Sequence, residues 1–192
     1  MNNKLARILV VGTVFALIMF SGCSQEEKQN QPEQQTKTEQ KSKNLAGSGQ
    51  FIGSEAPGFE LQNLSGEKVT LEQFSGKVVL LNFWATWCPP CRKEIPDLIE
   101  MYSENKDDGL EIVGITLNSG PPRKIQEFVD KNNINYHILT NGRDKTAGLA
   151  KKYDNITGVP TTFIIDKNGI VQHKWVGPRP KEKFMEEISK YL

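Results

Sequence analysis

Residues 78–91 read Val78-Val79-Leu80-Leu81-Asn82-Phe83-Trp84-Ala85-Thr86-Trp87-Cys88-Pro89-Pro90-Cys91. A continuous apolar run, begun at Lys77 and ending at Trp84, is the pattern of a strand covered on both faces of a sheet. Two prolines suit the first turn of a helix, where backbone N–H groups lack intrahelical partners. The two cysteines therefore fall at a strand-to-helix junction, at a spacing that lets them close to a disulfide. A helix N-terminus carries partial positive charge and favours a thiolate there. Cys88, at or just before the first turn, is expected to be the exposed attacking sulfur. Cys91, one turn in, is expected to be the more buried resolving thiol. Pro89 and Pro90 also remove two donors that would have stabilised a Cys88 thiolate, which predicts a reducing pair, not a strongly oxidising one.

The same spacing occurs in half of a zinc site, but a structural site needs four ligands. The chain holds three cysteines and two histidines. Cys23 lies far from the pair, and His137 and His173 have no ligand spacing, so the pair is read as redox-active and no metal is assigned. No cofactor is implied.

Outward from the dithiol, the pattern continues in both directions. Phe59–Gln62 and Lys68–Leu71 flank Ser65-Gly66 and read as a short hairpin. A helix is predicted from Pro89 to Asn105, with Ile95, Leu98, Ile99 and Tyr102 on one face and a kink at Pro96. Leu110–Leu117 is a second strand, and Pro122–Asn132 is a helix with Ile125, Phe128 and Val129 inward. Tyr136–Leu139 is a short strand and Asp144–Tyr153 a helix. Thr161–Asp166 is a strand that Lys167-Asn168-Gly169 turns into Ile170–Val176. Asn168-Gly169 predicts a type I′ turn, which needs positive φ at both central residues. Lys181–Leu192 closes the chain as a helix, with Phe184, Ile188 and Leu192 spaced by four. The order, β-hairpin then β-α-β-α-β-α-β-β-α, predicts an α/β domain: a central sheet with helices on both faces and antiparallel strands added by the last hairpin.

The N-terminal region has a different character. Lys4 and Arg7 precede the apolar run Ile8–Phe20, whose 13 residues fall short of the roughly 20 that span a bilayer. Ser21-Gly22-Cys23 follows, and small residues directly before a cysteine resemble the lipobox of bacterial lipoproteins. Phe20 departs from the Leu usual there. The resemblance implies a signal peptide over residues 1–22 and lipidation at Cys23; an ordinary signal peptide, or an uncleaved anchor with an incidental Cys23, is the alternative. Ser24–Gln50 holds seven Gln, four Glu and four Lys, with Leu45 and Ala46 as its apolar side chains. Such a segment cannot offset its ordering entropy by burial and reads as a disordered tether, so 23–50 is assigned to the lipidated Cys and its leash. Residues 51–192 are one domain of common size. The charges nearly balance, at 24 basic and 23 acidic residues, which gives no argument for nucleic acid or a polybasic membrane surface.

The segment from Val79 through Cys91 to Arg92-Lys93-Glu94-Ile95-Pro96 resembles the active site of the TlpA/ResA-type thiol-disulfide oxidoreductases. These are thioredoxin-fold proteins related to the AhpC/TSA redoxins and the peroxiredoxins. The resemblance spans the domain, through the N-terminal hairpin, the β-α insert near residues 122–140 and Gly158-Val159-Pro160-Thr161. It implies a thioredoxin fold with an N-terminal β-hairpin and a central β-α insert in a mixed sheet. It implies a cis peptide before Pro160 facing the dithiol, with the Val159 backbone left to pair with an extended substrate; a trans turn proline is the alternative. Glu94 matches a glutamate near the active site of ResA-like proteins and is expected to tune the thiols or carry the Cys91 proton, against the alternative of a solvated surface residue. Asn82 stands where thioredoxin has a buried acid. Trp84 and Trp87 are read as packing and rim residues, Trp87 beside the substrate.

The function implied is a lipid-anchored reductase on the outer face of the cell membrane, acting on disulfides of exported proteins. In the family such work includes reducing apocytochrome c during cytochrome c maturation, sporulation-linked reduction, and electron supply to a methionine sulfoxide reductase. A reductant in an oxidising compartment must be recharged, which implies a CcdA-type membrane thiol donor. A monomer is expected. The competing readings are a thiol peroxidase and a non-enzymatic binding lipoprotein.

Overall fold

The computed structural model describes residues 51–192. The predicted signal peptide, Cys23 and the tether lie outside the described residues. The domain is built from β1 (Glu60–Asn63), β2 (Lys68–Thr70), a short helical turn (Leu71–Phe74), β3 (Val78–Trp84), α1 (Pro89–Asn105) and β4 (Leu110–Thr116). These are followed by α2 (Pro122–Lys131), β5 (His137–Thr140), α3 (Gly142–Lys152), β6 (Thr161–Ile165), β7 (Val171–Val176) and α4 (Lys181–Ile188).

The strands form one seven-stranded mixed sheet in the order β2-β1-β5-β4-β3-β6-β7. The apolar strand β3 lies inside the sheet, between β4 and β6, and is buried at every position. It runs parallel to β4 and antiparallel to β6. The insert strand β5 pairs with β4 on one side and with β1 on the other, so it joins the N-terminal hairpin to the sheet.

Side chains of β3 alternate between two cores, as period-2 geometry requires. Val78, Leu80 and Trp84 pack with Ile95, Leu98 and Met101 of α1, Ile125 of α2, and Phe184 and Ile188 of α4. Val79, Leu81 and Phe83 pack on the other face with Leu149 and Ala150 of α3, Tyr153, Phe163 and the N-terminal Phe59. Helices thus cover both faces, as predicted.

Three local expectations are corrected. The turn after β6 is not type I′, because Gly169 has positive φ (80°) and Asn168 does not. The Asp166 side chain decides this. Its Oδ1 accepts the N–H groups of Asn168 and Ile170 at 2.8 and 3.0 Å, while its carbonyl accepts the Gly169 N–H at 2.9 Å. The loop is therefore three residues closed by a glycine, a form of hairpin that places only that glycine in the left-handed region. The hairpin between β1 and β2 repeats the device: Asn63 Oδ1 accepts from Ser65 and Glu67, and Gly66 has φ 87°. The second correction is that α3 begins at Gly142, two residues before Asp144. The third is that α4 ends at Ile188, after which the Lys190 and Tyr191 N–H groups reach back only three residues, to Glu187 and Ile188. Helix α1 runs without a break through Pro96.

Candidate active site

Cys88 is the N-cap of α1, with extended backbone (φ −83°, ψ 110°), and Pro89 and Pro90 occupy the first helical positions. Cys88 and Cys91 are joined by a disulfide, with their Cα atoms 5.3 Å apart. The Cys91 N–H donates to Cys88 Sγ at 3.2 Å. Pro89 and Pro90 remove two donors to this sulfur, but this one, not foreseen from the sequence, remains. It follows from the N-cap position, where a side-chain acceptor meets the N–H of the third helical residue.

The peptide bond between Val159 and Pro160 is cis, and the Val159 carbonyl oxygen lies 3.5 Å from Cys88 Sγ. Among the described residues, neither the N–H nor the carbonyl of Val159 bonds another backbone group. The Pro160 carbonyl accepts the Gly177 N–H at 2.8 Å, which ties this loop to the end of β7. The expectation of an exposed Cys88 is corrected: Cys88 is 2% and Cys91 1% exposed. The closed disulfide lies under the Val159 loop, and Trp87 stands exposed at this rim, at 59%.

The loop that carries Trp87 is latched to the loop after β4. The Thr86 N–H donates to Ser119 Oγ at 3.1 Å, and Trp87 Nε1–H donates to the Asn118 carbonyl at 3.0 Å. Asn118 holds φ at 49°, a left-handed value that asparagine tolerates better than most residues. Nothing in the reading of the sequence pointed to this latch, although the turn-forming run Asn118-Ser119-Gly120 carries a signal for it. Trp84, by contrast, is fully buried, and its Nε1–H is left without a partner. It packs over Gly114, where an added Cβ would lie 2.8 Å from Trp84 Nε1 and 2.9 Å from Ile138 Cδ1.

Below the dithiol, one face of the sheet carries polar groups. Asn82 points to the α1 side because it shares the parity of Leu80 and Trp84. Its Nδ2 donates to Glu94 Oε1 at 2.8 Å and to Thr162 Oγ1 at 2.9 Å. Thr162 is the antiparallel partner of Asn82 across β3 and β6, a pairing no sequence motif announced. The Arg179 N–H approaches Glu94 Oε2 at 3.4 Å. Glu94 is 3% exposed, which sets aside the solvated-surface alternative. Burial raises its pKa to about 7, against the lowering effects of the Asn82 and Arg179 donors.

The structure thus brings Cys88, Cys91, Val159 and Pro160 to one junction, with Trp87 on its rim and Glu94 buried one turn beyond Cys91. Cys23 lies outside the described residues. His137 on β5 and His173 on β7 have three strands between them. No helix among the described residues is long and apolar enough to cross a membrane.

The chemistry available at this junction is the exchange of two electrons between a dithiol and a disulfide. The chain is a thiol-disulfide oxidoreductase with a thioredoxin-like fold. Residues 52–174 match the AhpC/TSA family, and the chain belongs to it. It is 37% identical over 139 residues to the thiol-disulfide oxidoreductase ResA of Bacillus thuringiensis, covering 72% of this chain and 78% of that protein. It is 36% identical over 139 residues to the thioredoxin-like protein YneN of Bacillus subtilis, covering 71% and 78%. Among solved structures, a putative thiol:disulfide interchange protein DsbE from Chlorobium tepidum superposes with a TM-score of 0.66 at 32% identity, covering 73% of this chain and 96% of that one.

Proposed function

We propose that the chain is a lipid-anchored, extracytoplasmic reductase of disulfides in exported proteins, in which Cys88 attacks and Cys91 resolves. The observation that carries the attacking role of Cys88 is its capping position, with the Cys91 N–H 3.2 Å from its sulfur, while the two donors absent at Pro89 and Pro90 support the direction of reduction. That N–H and the helix N-terminus favour negative charge on Cys88. In the reduced protein the Cys88 thiolate attacks one sulfur of a client disulfide. The client S–S bond breaks, a Cys88–client disulfide forms, and the other client sulfur leaves as a thiolate. Cys91 then loses its proton and attacks Cys88 Sγ, which closes the Cys88–Cys91 disulfide and frees the second client thiolate. Two electrons pass from the dithiol to the client. Glu94, with a pKa of about 7, is suited to hold the Cys91 proton. The unpaired backbone of Val159 offers an edge to an extended client beside Trp87, and Pro160 anchors that edge to β7.

Lipidation at Cys23 and a tether over 24–50 place this reaction outside the membrane. A CcdA-type thiol donor then returns the disulfide to the dithiol. Apocytochrome c is a fitting client because its haem-attachment cysteines must be reduced. The test is trapping. Cys91→Ser in the full chain should accumulate mixed disulfides between Cys88 and exported proteins, identifiable by mass spectrometry, and Cys88→Ser/Cys91→Ser should accumulate none. A Cys91→Ser chain that traps nothing, together with rapid peroxide consumption by the unmodified chain, would replace this reading by a thiol peroxidase.

A further inference from the structure

A groove of about 510 Å³ opens beside the dithiol, between the start of α1 and helix α2. Trp87, Arg92, Lys124, Phe128 and Lys131 line it, together with Glu127. Its apolar surface comes from the exposed Trp87 indole and the half-buried Phe128 ring. The Arg92 guanidinium stands 5.9 Å over that ring. Glu127 is the acid of the groove, and its Oε1 is held 3.0 Å from Arg123 Nε. Arg92, Lys124 and Lys131 form no ion pair among the described residues, whereas Lys181 of α4 is held by Glu100 and Glu104 of α1 at 3.0 and 2.6 Å. Three unpaired cations and the Phe128 ring therefore share a groove with Trp87, the residue next to Cys88.

We infer that this groove selects clients by charge, taking an acidic segment that flanks the client's disulfide. The inference rests on the proposed reduction of protein disulfides. A client sulfur that reaches Cys88 brings its neighbouring residues against Trp87, and hence over the groove. Carboxylates there meet Arg92, Lys124 and Lys131, while the apolar parts of the segment rest on Trp87 and Phe128. Such exposed charges act over about 8–10 Å at moderate salt, so the preference must weaken as salt is added.

The test uses the full chain, pre-reduced, and three disulfide peptides that differ only in flanking residues: Asp-Asp, Ser-Ser or Lys-Lys. Each single-turnover rate is divided by the rate of the same peptide with dithiothreitol, which removes the intrinsic effect of the flanks on the disulfide. Hydroxyethyl disulfide serves as a neutral small substrate. At low salt the acidic peptide should react about tenfold faster than the basic one on this scale, falling to about twofold at 0.5 M salt. Lys124→Glu/Lys131→Glu should reverse the order, and Lys124→Gln/Lys131→Gln should bring the ratio near one. Equal normalised rates for the three peptides at low salt, with hydroxyethyl disulfide reduced normally, would overturn the charge preference alone. So would an acidic preference that survives in the double Glu variant. Failure to reduce either the peptides or hydroxyethyl disulfide would overturn the reductase reading and this inference with it.

Discussion

The two faces of the sheet use alternate residues of the same strands and are packed by different rules. On the α3 face, Phe83, Tyr153 and Phe163 meet edge to face or tilted, with ring centroids 5.1 to 6.1 Å apart. The polar atom of that cluster, the Tyr153 hydroxyl, donates to the Pro57 carbonyl at 2.8 Å. On the α1 face, Asn82 and Thr162 of the same strands are buried with Glu94 of α1, and the Trp84 Nε1–H is left unpaired. A buried carboxyl near neutrality and an unpartnered donor both cost stability. The aromatic face supplies packing without such costs, and the α1 face is the one that holds the dithiol.

Four substitutions test that division. The largest effect is expected for Phe163→Ala, which opens a cavity in the aromatic face and should cost about 3–5 kcal/mol of stability in urea titrations. Its reduced form should still react with small disulfides under folding conditions; loss of thiol reactivity in the folded variant would break the separation of the faces. Next is Glu94→Gln. The folded pKa of about 7 exceeds the carboxyl's ordinary 4.5, so folding takes up a proton between these values. Stability from this group is fully present below about pH 4.5 and is lost as pH rises to 7, by about 3 kcal/mol, with no further change above. Glu94→Gln should remove that slope, and chemical denaturation of both proteins at pH 5 and pH 8 checks it. A slope identical in the two proteins would assign it elsewhere.

Gly114→Ala should cost about 1–3 kcal/mol by thermal unfolding, because its Cβ would press on Trp84 and Ile138 across the α1 face. The change should also alter the intrinsic fluorescence, since Trp84 must shift. The smallest effect is expected for Tyr153→Phe, about 1 kcal/mol for the lost bond to Pro57, with thiol reactivity unchanged. A Tyr153→Phe variant with altered thiol reactivity would show that the faces communicate through the sheet.

Much of the site was legible in residue order because its parts are local. Strand, prolines and cysteines are contiguous, so the cap position of Cys88 and the parity of Asn82 follow from short-range geometry. Glu94 was visible as a neighbour of Cys91, one turn along the helix. Its burial was not, because that depends on Asn82, Thr162 and the Arg179 backbone, which arrive from three other segments. The Asn168-Gly169 turn was misread for a related reason. The dipeptide pattern is local, but the Asp166 side chain competed for the same N–H groups and prevailed. The burial of Cys88 likewise came from a distant loop, around Val159.

Periodicity and contiguous motif assign this chain its strands, helices, dithiol and thioredoxin-like order, since each depends on residues within a turn or a strand of one another. The state of each group within that frame was decided in three dimensions. Burial, partner and charge depend on which segments meet, and the sheet order sets that by placing β6 beside β3 and α2 beside the dithiol. A glutamate pKa near 7, a roofed disulfide and a basic groove are consequences of that assembly, because desolvation and charge act through space, not along the chain.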